Sequence, residues 1–492
     1  MPFLSLPSAV RMHYEVLRAD GSIDTGAPLD PERPTLVALV PFIAATPQDL
    51  PQISPDSPLH TEYQIVAFSS RSHGRTMSEP RPQHDPFVCA ADLAFAFEAL
   101  QLPPSPLFAP GSICSRIAVA FAVLFPQLVT ALAIVGIAST NAKTSLEGFR
   151  TLDATMFNPE DEADLHETIA ELAYSLWSNY LDVDGFDRFV NLLLRRHNPR
   201  SATRSYELCR LSYLSVNLPT EAIASITQPV LLIHGENDLY NGVDAMEEWA
   251  DRLTRVKELE THVIPDSPHA CWATHPTLVT SYLSSFLARH VPAAPSAYTP
   301  PDFQAALQRT AAVLSNPKAL LRNPRRPESF SFLTDDEMAM VAADLERVRG
   351  YEEAWRQRPL VQGADGLEPW EESSATRVPR PRWRWSRRND DIPTSPRSGQ
   401  GRFSLASEVV VQIASTQSAE KGSLFDGDLR PMSIVEVDVL PPARTRGAGP
   451  EGAPSDAFAR KDSGFVDVVE EQPDRDKADK LDIVEGFARV AL

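Results

Sequence analysis

Cysteine, basic charge and long apolar runs are all scarce in this 492-residue sequence, and each scarcity removes a class of protein. The four cysteines, Cys89, Cys114, Cys209 and Cys271, are too few and too scattered for a disulfide scaffold. No CxxC pair exists to seed a zinc cluster, and this usage points to a reducing compartment. Lys and Arg number 46 against 66 Asp and Glu, a formal net charge of -20. Phosphate neutralisation needs a basic surface, so no nucleic-acid partner is expected. The most apolar stretch, Ile117 to Ala138, is interrupted by Pro126, Gln127 and Thr130. It predicts a buried helix, a turn and a buried strand, because a membrane-spanning helix wants about 20 unbroken apolar residues. The opening MPFLSLPSAVRMHYEVLRADG lacks the basic-then-apolar pattern of a secretory signal. The expectation is a soluble cytoplasmic protein with no transmembrane segment.

What is present organises into three textures. Hydrophobic residues make up 43% of the chain, enough for one large core. From residue 1 to about 292, continuous β-prone runs such as TLVALV (35–40), YQIVAF (63–68), LVTALAIVG (128–136) and PVLLIHG (229–235) alternate with helical patterns such as DLAFAFEAL (92–100). Runs apolar at every position belong to strands covered on both faces, so this alternation predicts an α/β fold with a mostly parallel, doubly wound sheet. Between about 140 and 222 the strands stop, and ADLHETIAELAYSLWSNYL (163–181) and FDRFVNLLLRRH (186–197) read as a helical insert lying as a cap over the sheet. Residues 293–357 read as a linker carrying two helices, at 303–314 and 334–355, the second opened by a capping box of Thr334 and Glu337. From 358 to 492, Pro, Ser, Gly and charged residues dominate, and a largely disordered tail is expected.

The chemistry gathers at three strand ends. In FAPGSICSRIAVAFAVLFPQLV (108–129) an extended run meets a Gly-Ser turn and then an apolar helix, the layout of a nucleophile elbow with Ser112 at its tip. A serine hydroxyl is a weak nucleophile and needs a base, which in turn needs an orienting acid. PVLLIHGENDLY (229–240) offers Glu236 and Asp238 on the loop leaving a strand, and PDSPHACWATHP (265–276) offers His269 after another. At this point the sequence resembles the cap-bearing esterase and lactonase-like members of the α/β-hydrolase fold family, over about residues 8 to 290. The resemblance is carried by MHYEVL (12–17), PTLVALVPF (34–42), SSRSHGRT (69–76, similar to the family's D-x-R-G-x-G-x-S turn), HGENDLY (234–240) and SPH (267–269), and by the fourteen residues from Ser112 to Pro126. It implies Ser112 as nucleophile, Asp238 as orienting acid, His269 as general base, and the N–H groups of Phe42 and Ile113 as oxyanion donors. It requires no metal or organic cofactor. The chain departs from the pattern at the elbow, which reads Pro110-Gly111-Ser112-Ile113-Cys114 in place of G-x-S-x-G, at Val40-Pro41 and at Ser69.

Two functions stay open on these residues. One is a serine esterase acting on a small or medium carboxylic ester, lactone or thioester, or passing its acyl group to an alcohol. The other is an inactive hydrolase fold that binds a ligand or partner, supported by Pro110 and Val40-Pro41. Trp177 and Tyr180 of the insert are candidates for a substrate pocket, although aromatic residues at helical spacing are more often insert core. Cys114 reads as a small buried filler rather than a thiol nucleophile. RVPRPRWRWSRR (377–388) sets six arginines and two tryptophans in twelve residues, suited to an acidic partner or a membrane surface, or simply a solvated tract.

Overall fold

A computed structural model describes residues 3–18, 23–24, 29–42, 50–138, 149, 152–213, 218–239, 241–292 and 296–358. The tail expected beyond residue 358, with its basic tract 377–388, lies outside the described residues, as does part of the insert. Among the described residues nine strands form one sheet: β1 (Phe3–Leu6), β2 (Val10–Leu17), β3 (Ile23–Asp24), β4 (Thr35–Leu39), β5 (Gln64–Phe68), β6 (Ser105–Pro110), β7 (Val129–Val135), β8 (Val230–Gly235) and β9 (Leu259–Ile264). Their order is β1-β2-β5-β4-β6-β7-β8-β9, with β3 paired to β2. β2 runs antiparallel to its neighbours β1 and β5, and every pair from β5 to β9 is parallel.

The continuous apolar runs reflect a sheet buried on both faces. Alternate residues feed two separate cores: Val37 and Leu39 of β4 and Val230 and Leu232 of β8 enter one, while Leu36, Ala38, Leu231 and Ile233 enter the other. The first core is closed by α1 (Pro86–Leu100) and α2 (Ser112–Leu124). Asp85 caps α1 by accepting from the N–H groups of Phe87 and Val88, both at 2.9 Å, with Pro86 at the first helical position. The second core is filled by the insert and by the helix Pro276–His290.

The described part of the insert is helical, with α3 (Glu162–Trp177), α4 (Val183–Arg196) and α5 (Ala202–Tyr213). After the insert, α6 (Val243–Arg252) follows β8 and α7 (Pro276–His290) follows β9. Buried charge stitches α5 to the loop after β5: Glu207 accepts from Ser72 Oγ and pairs with His84. Burial works to raise the Glu207 carboxyl, but His84, Ser72 and Arg210 outweigh it and hold it at about 2. Beside this pair the Arg71 guanidinium grips Asp92 of α1, Nη2 to Oδ1 at 2.8 Å, with both side chains fully buried.

The segment read as a linker carries α8 (Phe303–Val313) and α9 (Asp335–Gln357), and it is built into the domain. Phe303 stacks on Phe95 at 4.2 Å between ring centroids, and Phe332 stacks on Phe87 at 3.5 Å. Helix α9 buries Val341, Leu345 and Val348 in the second core. It is tied to the insert through Glu352 with Thr203 (2.7 and 2.9 Å) and Arg347 with Asp153 (2.6 and 2.7 Å). The described residues of the proline-rich stretch, 291–292 and 296–300, are half-buried or exposed, while Phe303, Phe330 and Phe332 that follow pack into the first core.

Asp85 joins these parts, since its Oδ2 accepts from Ser331 Oγ (2.9 Å) and the Phe332 N–H (2.7 Å). Asp85→Ala removes a helix cap and strands two buried donors, so a loss of about 3 kcal/mol is expected. Chemical denaturation checks this, and Asp85→Asn, which keeps acceptor oxygen at the site, is expected to lose less.

Candidate active site

The sheet order reverses between β4 and β6, since the chain leaves β4 for β5 on one side and returns to β6 on the other. In open α/β sheets such a switch point opens a crevice at the carboxyl ends of the strands. Pro41 and Phe42 leave β4 there, and Ser112 leaves β6. Between β6 and α2 the chain makes a sharp turn at Gly111, with φ +83° and ψ 162°. A Cβ at Gly111 would stand 3.3 Å from the Trp272 ring and 3.4 Å from the Pro41 Cβ, and its φ is one that other residues rarely adopt. The left-handed turn therefore falls on Gly111 and not on Ser112. Pro110, expected to fit poorly, occupies the last position of β6 opposite Val135, where the ladder ends and a missing donor matters little.

Ser112, Asp238 and His269 come together. Ser112 Oγ lies 3.4 Å from His269 Nε2, and His269 Nδ1 lies 2.7 Å from Asp238 Oδ2. All three are buried, with relative exposures of 9%, 6% and 3%. The Asp238 contact requires the proton on Nδ1, which leaves the Nε2 lone pair facing the serine. Asp238 Oδ1 accepts from the Asn241 N–H at 2.9 Å. Glu236, the other acid on this loop, is exposed and accepts instead from the Asp266 N–H at 3.0 Å.

His234 is the functional neighbour that sequence reasoning missed. Its Nδ1 accepts from the Ile137 N–H at 3.3 Å, which puts its proton on Nε2. That nitrogen lies 2.8 Å from the Asn241 carbonyl and 3.3 Å from Asp238 Oδ2. Burial lowers the pKa of His234 although Asp238 pulls the other way, so a neutral imidazole donates Nε2–H to the Asn241 carbonyl and stands beside the carboxylate. The signal lay in HGEND, four residues before the acid.

The cleft is lined by Pro41, Phe42, Pro110, Gly111, Ser112, Ile113, Leu176, His269 and Trp272, and encloses about 220 Å³ of empty space including its mouth. Both expected oxyanion donors, Phe42 and Ile113, are on its wall. Trp177 and Tyr180 are not: Trp177 is fully buried with its ring 5.4 Å from that of Phe189, and Tyr180 donates its hydroxyl to the Thr274 carbonyl. At the end of α3 the residue facing the cleft is Leu176, one helical step (about 100°) from Trp177. Cys114 is buried and burial pushes its thiol up, away from a thiolate. Among the described residues no group of three or more His, Cys, Asp or Glu is placed to hold a metal ion, and no helix is long and apolar enough to cross a membrane.

An eight-strand path with its second strand antiparallel, helices on both faces and a serine turn after β6 defines the α/β-hydrolase fold. No family model and no curated protein matches the sequence. Among solved structures the chain is similar to the enol-lactonase from Burkholderia xenovorans LB400, at 14% identity over 58% of this chain and 100% of that one, TM-score 0.45. It is also similar to a thermophilic esterase from Thermogutta terrifontis (16% identity, 59% and 97% covered, TM-score 0.46). A third is an esterase from Exiguobacterium antarcticum (13% identity, 58% and 99% covered, TM-score 0.45). At these scores the likeness adds nothing to the sheet order, which carries the fold assignment.

Behind the Pro41–Phe42 wall sit two more buried histidines. Burial, reinforced by Arg196 and Arg204, holds His197 at about 3 and holds His73 well below the usual 6.5. Both are neutral in the native protein, while the unfolded chain takes up protons near pH 6.5. Stability is therefore lost as pH falls from about 6.5 toward 3, by about 2 kcal/mol for His197 alone at pH 5. Denaturation at pH 7 and pH 5 checks this: the acid loss is expected to shrink in His197→Gln, which cannot titrate.

Proposed function

We propose that this chain is a serine hydrolase acting on a small or medium carboxylic ester, lactone or thioester. The observation that carries the reading is the line of hydrogen bonds Asp238–His269–Ser112 at the switch-point crevice. In this account Ser112 Oγ attacks the substrate carbonyl while its proton passes to His269 Nε2. Asp238, held by the Asn241 amide and faced by His234, stabilises the imidazolium and keeps the ring in place. The new oxyanion is met by the N–H groups of Ile113, in the first turn of α2 where amides lack helical partners, and of Phe42.

The imidazolium then gives its proton to the leaving oxygen or sulfur, and the C–O or C–S bond breaks to leave an acyl group on Ser112. Water attacks the acyl-enzyme with His269 again as base, releasing the acid and restoring Ser112. An alcohol in place of water would complete an acyl transfer. The 3.4 Å serine–histidine distance is long for a working hydrogen bond, as is common before substrate closes the site. A narrow cleft walled by Phe42, Ile113, Leu176 and Trp272 favours a small, apolar acyl group. Four unpaired buried thiols are in keeping with a cytoplasmic protein.

Labelling by a small fluorophosphonate tests the reading. The wild type is expected to be labelled, Ser112→Ala to remain unlabelled, and His269→Ala to label slower by at least ~10³-fold. Folded wild type that resists even the smallest probe would overturn the reading and leave a binding pocket. Labelling that survives Ser112→Ala would move the nucleophile elsewhere.

A further inference from the structure

Along β8 the alternation puts Val230 and Leu232 on the face of the first core, and position 234 falls on the same face. An aliphatic side chain would continue that row. The residue is instead His234, fully buried and one position before the strand ends. In the mechanism above it stands beside the acid without a task of its own. We propose that His234 is a positioning residue that holds the Asp238 carboxylate against His269 by fixing the backbone of Asn241. The inference rests on the serine-hydrolase reading of Ser112, Asp238 and His269.

The contacts form a closed path. Asp238 Oδ2 lies 2.7 Å from His269 Nδ1, while Oδ1 accepts from the Asn241 N–H at 2.9 Å. One carboxylate plane therefore serves two partners, and its angle depends on where Asn241 stands. His234 Nε2 donates to the Asn241 carbonyl at 2.8 Å, so Asn241 is held at its N–H by the acid and at its C=O by the imidazole. The ring is anchored in turn, because Nδ1 accepts at 3.3 Å from the N–H of Ile137, which follows β7 inside the sheet. The near end of the acid turn has other ties: the Asp238 N–H donates to the Gly235 carbonyl at 3.3 Å and the Asn237 N–H to the Ser267 carbonyl at 2.8 Å. The far end, at Asn241, is the end that His234 holds.

A buried histidine with both nitrogens bonded is commonly a satisfied core residue, and two observations separate His234 from that role. Its second bond falls on the residue whose amide holds the acid. The same Nε2 lies 3.3 Å from Asp238 Oδ2, the oxygen that faces His269. The N–H that pins Asn241 thus also presents its positive end to a carboxylate removed from water, which needs such neighbours to stay ionised. Gly235, the next residue, brings the base close to this arrangement. A Cβ there would overlap the carbonyl oxygens of Ser267 and Pro268, so the loop carrying His269 lies directly on the end of β8. Small movements of the acid turn are therefore felt at the imidazole.

The test uses p-nitrophenyl acetate turnover and the rate of fluorophosphonate labelling in the full chain. His234→Leu removes both bonds and keeps bulk. It is expected to lower kcat about 10- to 100-fold with KM within about twofold, because the acid acts on the imidazolium of the transition state and His234 does not line the cleft. Labelling should slow in parallel. His234→Gln, whose amide reaches the Nε2 position and can donate to Asn241, should restore most of the rate. His234→Asn, whose amide reaches the Nδ1 position and keeps only the Ile137 bond, should not. Each amide keeps one of the two bonds, so their stabilities should match while their rates differ. A folded His234→Leu with wild-type kcat overturns the proposal and leaves the serine-hydrolase reading intact. If His234→Leu fails to fold, the Gln and Asn variants decide, and equal rates for the two overturn it. A wild type inert to both reagents, indistinguishable from Ser112→Ala, overturns the reading and the proposal together.

Discussion

The close packing of Trp272 between two backbone turns is the constraint on which the site depends. Gly111 at the end of β6 and Gly136 at the end of β7 both take positive φ, and a Cβ at either would press on the Trp272 ring, at 3.3 and 2.7 Å. The indole thus sits where only glycine, without a Cβ, leaves room. His269, three residues earlier, rests edge-on to it at 5.7 Å between centroids. One contact set therefore fixes the height of the serine turn and the position of the imidazole together. Gln52 secures the same segment from behind, donating Nε2 to the Trp272 carbonyl at 2.6 Å.

Around that centre the insert is held from two sides. Toward the cleft, the Leu176 carbonyl accepts from the Ala270 N–H at 3.1 Å, one residue past His269. Away from it, Asp153 and Thr203 are bound to α9 and Glu207 to the loop after β5. The Glu207 contacts are removed from water and so stabilise little in net but are expensive to break on one side alone, whereas the Arg347–Asp153 pair is about a third exposed and screened by solvent. The consequence is geometric specificity. The wall formed by Leu176, Phe42 and Trp272 is set by contacts from Gln52, Ala270 and Arg196, and through the insert by α9.

Much of this was legible in the sequence, for identifiable reasons. A sheet covered on both faces demands apolar residues at every position, so TLVALV and PVLLIHG stand out as strands. Candidate groups placed at strand ends then fall at predictable points, and His269 is found within hydrogen-bonding reach of both Ser112 and Asp238. Pro110 misled because a proline looks hostile to an elbow, whereas the ladder ends at that residue and the turn moves to Gly111. Trp177 and Tyr180 were chosen on residue type, yet the phase at the end of α3 selects Leu176. Periodicity cannot resolve one residue at a helix end. The packing of Phe303, Phe330 and Phe332 was hidden because proline-rich composition around them reads as linker, and stacking partners such as Phe87 and Phe95 are more than two hundred residues distant. The place of His234 beside Asp238 was invisible because it depends on which atoms the ring faces.

The central claim is that Ser112 is a nucleophile set against amides of Ile113 and Phe42. A crystal structure of the protein after reaction with a small fluorophosphonate tests it most directly. The account predicts phosphorus bonded to Ser112 Oγ, with the phosphoryl oxygen within hydrogen-bonding distance of both amides and His269 Nε2 beside the bridging oxygen. Phosphorus on another side chain, or an unmodified Ser112 in a folded and fully exposed crystal, would contradict it.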